Sequence, residues 1–153
     1  GLPAQTAAKY IPLYWGGLMI GRFAGSAILQ KISAQKVLVW ASVAAFTFLA
    51  VTILTSGAVS MWSMLMVGLF NSIMWSNIFA LSINGLGDLT IKASGVLVMA
   101  PVGGAILPLL QGVLADMPVI GLHYSYILPL LCYLFILFYG LNGYKPGKLE
   151  TAV

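Results

Sequence analysis

The chain has 153 residues, of which 61% are hydrophobic and only 7% charged. A soluble domain carries roughly 25% charged residues, so a water-soluble globular fold is excluded and an all-α integral membrane protein is indicated. The net charge of +4 comes from Lys and Arg scattered between apolar blocks, which argues against a nucleic-acid partner and makes these residues markers of topology.

The leading stretch GLPAQTAAK has neither the basic start nor the small-residue cleavage site of a signal peptide, and the chain begins at Gly1 without Met. It reads as part of a longer chain. Transmembrane spans are expected at about 10–30, 36–55, 60–84, 93–115 and 125–141, with no soluble domain. Backbone groups are not left unpaired in lipid, so all five should be helices.

In the first span Gly17, Gly21 and Gly25 recur every fourth residue, and such stripes let helix backbones approach closely in lipid. Arg22 lies about two turns from the end of this span. A central arginine costs about 2.5–3.5 kcal/mol on insertion scales, less if it snorkels toward the interface. Two readings stand for it: a gate that pairs with a carboxylate or a helix-end carbonyl, or an orientation marker of the positive-inside rule. The second span, VLVWASVAAFTFLAVTILT, is bulky and apolar nearly all round, as expected of an outer helix facing acyl chains.

The third span is apolar yet carries Asn71, Ser72, Ser76, Asn77 and Ser82. Polar groups at membrane depth are expensive and tend to be functional. At 100° per residue Asn71, Trp75, Ile78 and Ser82 share a stripe, with Asn77 nearly opposite. An amide beside an indole suits a sugar, whose hydroxyls need directed donors and acceptors while its C–H face packs on the ring. Asn71, Trp75 and Asn77 are therefore candidate substrate contacts, and interhelical glue is the competing reading.

The fourth span repeats the small stripe with Ala100, Gly104, Pro108 and Gly112, and Gln111 shares that face as a further candidate contact. Pro101 and Pro108 each remove a backbone donor and are places where the helix can bend. The fifth span, YILPLLCYLFILFYGL, is again bulky all round. It holds Cys132, the single cysteine, which rules out an intramolecular disulfide, and neither metal nor cofactor is expected. Asp88, Asp116 and His123 fall at interfaces and Glu150 in the tail, so no buried proton carrier is evident. No Ser, His and acid set converges at one depth, which argues against a membrane hydrolase.

The helix types run small-striped, bulky, polar, small-striped, bulky. The last three form a triplet and the first two match the end of another, which predicts a polar helix ahead of Gly1 and an inverted-repeat plan of the secondary-transporter kind. Lys31 and Lys36, Lys92, and Lys145 with Lys148 mark one side, with Lys9 the single exception. That side is expected to be cytoplasmic, with the N-terminus of this chain outside and its C-terminus inside.

Four stretches, Tyr14 to Leu29, Gly68 to Gly87, Ser94 to Asp116 and Ile127 to Leu141, together resemble the C-terminal half of the fucose permease and glucose/galactose transporter group of the major facilitator superfamily. The resemblance implies a partial C-terminal six-helix half of a twelve-helix sugar symporter in the cell's inner membrane, working by alternating access. It implies that the third span lines the central cavity and that the small-striped spans meet the N-terminal half, which is not in this chain. Proton coupling is implied as well, through carboxylates of that other half. Where relatives often have Phe-Pro-Thr, this chain has Trp75, Ser76 and Asn77. The expected partners are thus a sugar, the bilayer and the remainder of the same transporter. The competing assignment is a membrane-embedded assembly or regulatory subunit.

Overall fold

The computed structural model describes residues 9–144. Lys145, Lys148 and Glu150 lie outside the described residues. Helix α1 runs Ile11–Leu29, with Pro12 in its first turn, where the missing N–H has no intrahelical acceptor to lose. Helices α2, Ala34–Leu54, and α3, Ala58–Ile83, follow. Between them the chain reverses through Gly57 at φ 70°, and after α3 through Gly85 at φ 81°, conformations that L side chains rarely adopt. The apolar run Gly87–Asp116 is divided into α4, Thr90–Met99, and α5, Gly103–Asp116, by a 3-10 turn at Ala100–Val102. Pro101 sits in that turn, whereas Pro108 is carried inside α5. A short α6, Gly121–Ser125, leads into α7, Ile127–Phe138, which ends in a π turn at Tyr139–Gly143.

No strand occurs among the described residues. Four stretches, Ala34–Leu54, Ala58–Ile83, Gly87–Asp116 and Gly121–Gly143, are long and apolar enough to cross a membrane. Helix α1, with its glycines and Arg22, is 19 residues long, close to the roughly 20 that a crossing needs.

The core lies between α2 and α3. Leu38, Ala41, Ala45 and Leu49 recur along one face of α2 and meet Val67 and Met74 of α3 and Tyr133 of α7. Phe48 and Phe70 stack across the seam with ring centroids 5.7 Å apart. The expectation that α2 is simply an outer, lipid-facing helix needs correcting. One of its faces is the best-buried surface of the molecule, and only the other, where Trp40 is 74% exposed, faces outward. The small residues Ala41, Ser42 and Ala45 create that seam within an otherwise bulky sequence. Helix α7 keeps the expected character, with Leu131, Leu134, Phe135 and Phe138 exposed.

Hydroxyls within α2 are satisfied locally. Ser42 donates to the Leu38 carbonyl at 2.7 Å and Thr52 to that of Phe48 at 2.9 Å, which removes the penalty of a bare donor in an apolar interior. Ser60 also donates to the Thr52 carbonyl at 2.9 Å, clasping the start of α3 to the end of α2.

The glycine stripe of α1 is a second correction. It does not face outward to meet another part of the protein. Gly21 and Gly25 are buried against α3. A Cβ at Gly21 would collide with the Leu69 carbonyl and the Ser72 hydroxyl, and one at Gly25 with the Ile73 side chain. Gly68 of α3 gives room in return to the Tyr14 ring. Gly104 and Gly112, by contrast, have nothing within 4 Å of an added Cβ.

This docking predicts that Gly25→Val lowers stability by about 1–3 kcal/mol through overpacking. Gly16→Ala on the same helix, where nothing lies within 4 Å, should leave the full-length protein as stable or slightly more so. Thermal unfolding of both variants in detergent checks this. Equal losses in the two would mean that the stripe does not seat on α3.

Candidate functional site

Helix α3 puts two kinds of surface back to back. Val67, Met74 and Asn77 point into the interior, whereas Asn71, Trp75 and Ser76 lie on the exposed side. The separation of Asn71 and Trp75 from Asn77 follows the 100° advance per residue expected of a helix. Asn77 is 1% exposed, and its Nδ2 finds no hydrogen-bond partner among the described residues.

Two open grooves flank the exposed side of α3. The first, of about 520 Å³, lies against α1 and is lined by Arg22, Ser26, Ser72, Trp75 and Ser76. Arg22 is carried there because it follows Gly21, where the two backbones come together. Ser26 stands one turn further along α1, and Ser72 and Ser76 are likewise one turn apart on α3. Ser72 spends its proton on the Leu69 carbonyl at 2.8 Å, which leaves its oxygen free to accept. The groove thus offers a guanidinium donor, hydroxyl acceptors and an indole. Trp75 is 44% exposed and tilts 52° against Phe79 at 6.3 Å between centroids, so a ring face is available beside the polar groups.

The second groove, of about 350 Å³, lies on the other flank. Asn71 of α3 meets Gly104, Pro108 and Gln111 of α5 there, with Cys132 and Tyr133 of α7. Asn71 and Gln111 each bring one amide carbonyl and one NH₂. The absence of a side chain at Gly104 keeps this groove open.

The structure therefore joins Arg22 with Trp75, and Asn71 with Gln111, Gly104 and Pro108. It assigns Asn71 and Trp75, which share one side of α3, to different grooves, and Asn77 to neither. The expected Asn71 to Ser82 stripe ends early, because the Ser82 hydroxyl is bonded to the Tyr139 hydroxyl at 2.5 Å across the π turn. Ser26 and Tyr133 are additions to the candidates read from the sequence, and Ser72 and Ser76 join them from the polar set of the third span. The i, i+4 spacing of Ser26 from Arg22, and of Ser76 from Ser72, is the signal that places these serines on the groove face.

A double-mutant cycle on Ser82→Ala and Tyr139→Phe should give a coupling of about 0.6 kcal/mol, the usual size for a hydrogen bond between membrane helices. A coupling indistinguishable from zero would remove the tie between α3 and the π turn.

No family model matches the chain. It is 48% identical over 145 residues to a glucose/galactose transporter of Brucella abortus, covering 95% of this chain and 35% of that protein. It is 30% identical over 131 residues to the L-fucose-proton symporter of Haemophilus influenzae, covering 83% of this chain and 31% of that protein. The crystal structure of FucP, a major facilitator superfamily transporter in the outward conformation, matches with a TM-score of 0.86 at 26% identity, over 96% of this chain and 35% of that one. The Escherichia coli fucose:proton symporter in a variant form matches with a TM-score of 0.88 over the same shares. The chain spans about a third of the length of the relatives it matches. Nearly all of it is thus homologous to a part of these sugar transporters, and its fold is that of about one third of a major facilitator superfamily transporter, not of an enzyme.

Proposed function

We propose that the chain is the C-terminal part of a sugar/proton symporter that moves a hexose or deoxyhexose, of the glucose, galactose or fucose class, across the inner membrane by alternating access. The homology to glucose/galactose and fucose-proton transporters supports the substrate class and the coupling ion. The observation that carries the reading is the exposed polar face of α3, set between two grooves whose walls supply further donors and acceptors. Asn71 and Gln111 hold sugar hydroxyls by their amides, Trp75 packs on the C–H face of the ring, and Arg22 gates the neighbouring groove. The remaining length of the transporter supplies the facing wall of the cavity and the proton-coupling carboxylates. No observation favours the alternative of a regulatory subunit.

Asn77 acts in a different way. Its burial and its position opposite Asn71 make it a packing residue of α3, removed from direct sugar contact. The basic residues Lys31, Lys36 and Lys92 put the α1–α2 and α3–α4 connections in the cytoplasm and the start of α1 outside.

Uptake of radiolabelled glucose, galactose and fucose by the full-length protein tests the reading. Uptake of at least one sugar should collapse when a protonophore dissipates the proton gradient. Asn71→Ala and Gln111→Ala should each raise KM about 5- to 150-fold, the equivalent of roughly 1–3 kcal/mol for a buried partner left unpaired. Trp75→Ala should weaken binding as well, whereas Asn77→Ser should leave KM unchanged. Wild-type uptake by both Asn71→Ala and Trp75→Ala would falsify the site assignment.

A further inference from the structure

A third groove has a different chemistry. It is about 380 Å³ in volume and lies where the end of α1 meets the start of α2 over α3, lined by Ile28, Ile32, Trp40, Ala44, Phe70 and Ile73, with Val37 and Ala41 at its base. Every lining side chain is apolar. A sugar entering it would shed water from its hydroxyls with no partner in exchange, a loss that excludes it as a route for the transported solute.

At one end of the groove the surroundings change to cationic. Ile32 directly follows Lys31, and Val37 directly follows Lys36, and both lysines are exposed. From Val37 to Ala44 the trough descends about 10 Å along α2 at 1.5 Å per residue. Trp40 stands one turn below Lys36 and is 74% exposed, a spacing that suits an indole placed just below the headgroups. No Asp or Glu occurs between Ile28 and Ala44, so no carboxylate of that segment competes for the two ammonium groups.

We infer that this groove is a binding site for an anionic phospholipid of the leaflet on the side of the α1–α2 connection. One acyl chain lies along Ile28, Trp40, Ala44 and Ile73, and the phosphate sits between Lys31 and Lys36. Charge complementarity at the mouth and an apolar trough below it are the two halves of such a ligand, and basic pockets between membrane helices recognise headgroups in this way. Arg22 borders a smaller apolar groove of about 200 Å³ with Trp15, Leu18 and Met19, which has one cation in its lining where the α1–α2 groove has two lysines at its mouth. The exposed face of α7 at Leu131, Leu134, Phe135 and Phe138 is as greasy, but its nearest lysine in the sequence, Lys145, comes seven residues after Phe138.

The site has a structural consequence. Ile73, which lines the trough, is also the side chain seated in the Gly25 notch of α1. An acyl chain lying against Ile73 holds it in that notch and so supports the docking of α1 on α3.

Tryptophan quenching tests this in the full-length protein reconstituted into phosphatidylcholine nanodiscs, with phosphatidylglycerol or phosphatidylcholine brominated on the acyl chain titrated in. The share of emission from Trp40 is isolated by difference from the Trp40→Phe protein. Brominated phosphatidylglycerol should quench that share at a mole fraction at least tenfold lower than brominated phosphatidylcholine. Lys31→Gln with Lys36→Gln should erase the preference, each lysine contributing roughly fivefold and the pair roughly 25-fold. Ala44→Leu, which fills the trough without changing charge, should reduce quenching by both lipids. Equal quenching by the two lipids in the wild type would mean ordinary boundary lipid and overturn the inference. Absence of quenching by either would overturn it too, because another part of the full-length chain would then cover the groove.

Discussion

The close approach of α1 to α3 at Gly21 and Gly25 is the contact on which the polar surface of the molecule depends. Between helices in lipid there is no hydrophobic gain from association, so what holds them is close packing and hydrogen bonding. Removing the side chain at Gly21 lets the α1 backbone reach the Leu69 carbonyl and the Ser72 hydroxyl, and removing it at Gly25 admits Ile73. Arg22, the next residue after Gly21, is thereby brought to the groove that Trp75 and Ser76 also line. A larger residue in the stripe would displace the guanidinium together with the helix. The same seam brings Ile73 into the apolar trough beside α2, so one packing contact governs a polar groove on one side and an apolar one on the other.

Helix α3 can serve these surfaces because its burial is one-sided. Its inward face is held by α2 through Val67, Met74 and the stacked Phe70, and hydroxyls at the seam are satisfied within it or across it. The outward face is released from packing duty, and Asn71, Trp75 and Ser76 occupy it. Asn77 breaks the division: it sits on the packed side with an amide donor that has no partner among the described residues, a costly arrangement in an apolar interior. It lies in the Trp75 to Asn77 segment, where the resemblance implies Phe-Pro-Thr, so a difference of residue type there touches the packing of α3 as well as its exposed surface.

Much of this was legible in the order of residues. Apolar blocks of span length revealed the helices, and helical phase separated Asn71 and Trp75 from Asn77. Phase defines a direction from the axis; it does not say which neighbour lies in that direction. The Gly17, Gly21 and Gly25 stripe could therefore be recognised as a docking face while its partner, α3, stayed hidden. The same limit explains α2. Bulky residues all round its circumference mask a seam that Ala41, Ser42 and Ala45 open only once α3 is in place. The division of Asn71 and Trp75 between two grooves also depends on where α1 and α5 stand, and the π turn that removes Ser82 from the polar face arises from the packing of Gly140 and Tyr139 on α2 and α3.

The two small-residue stripes consequently have different physical roles. That of α1 is filled from within the chain, and Arg22 and Trp75 each directly follow a buried residue, Gly21 and Met74. That of α5 is open at Gly104 and Gly112, no residue of α4 or α5 is buried among those described, and the 3-10 turn at Pro101 interrupts the helical hydrogen bonding between them. The distance between Asn71 and Gln111 is accordingly set by a wall with few interior contacts, whereas that between Arg22 and Trp75 is set by a glycine seam. Among the described residues the α1 flank, with Arg22, is thus tied to α3 through the glycine seam, whereas the α5 flank, with Gln111, turns its small stripe away from the rest of the chain.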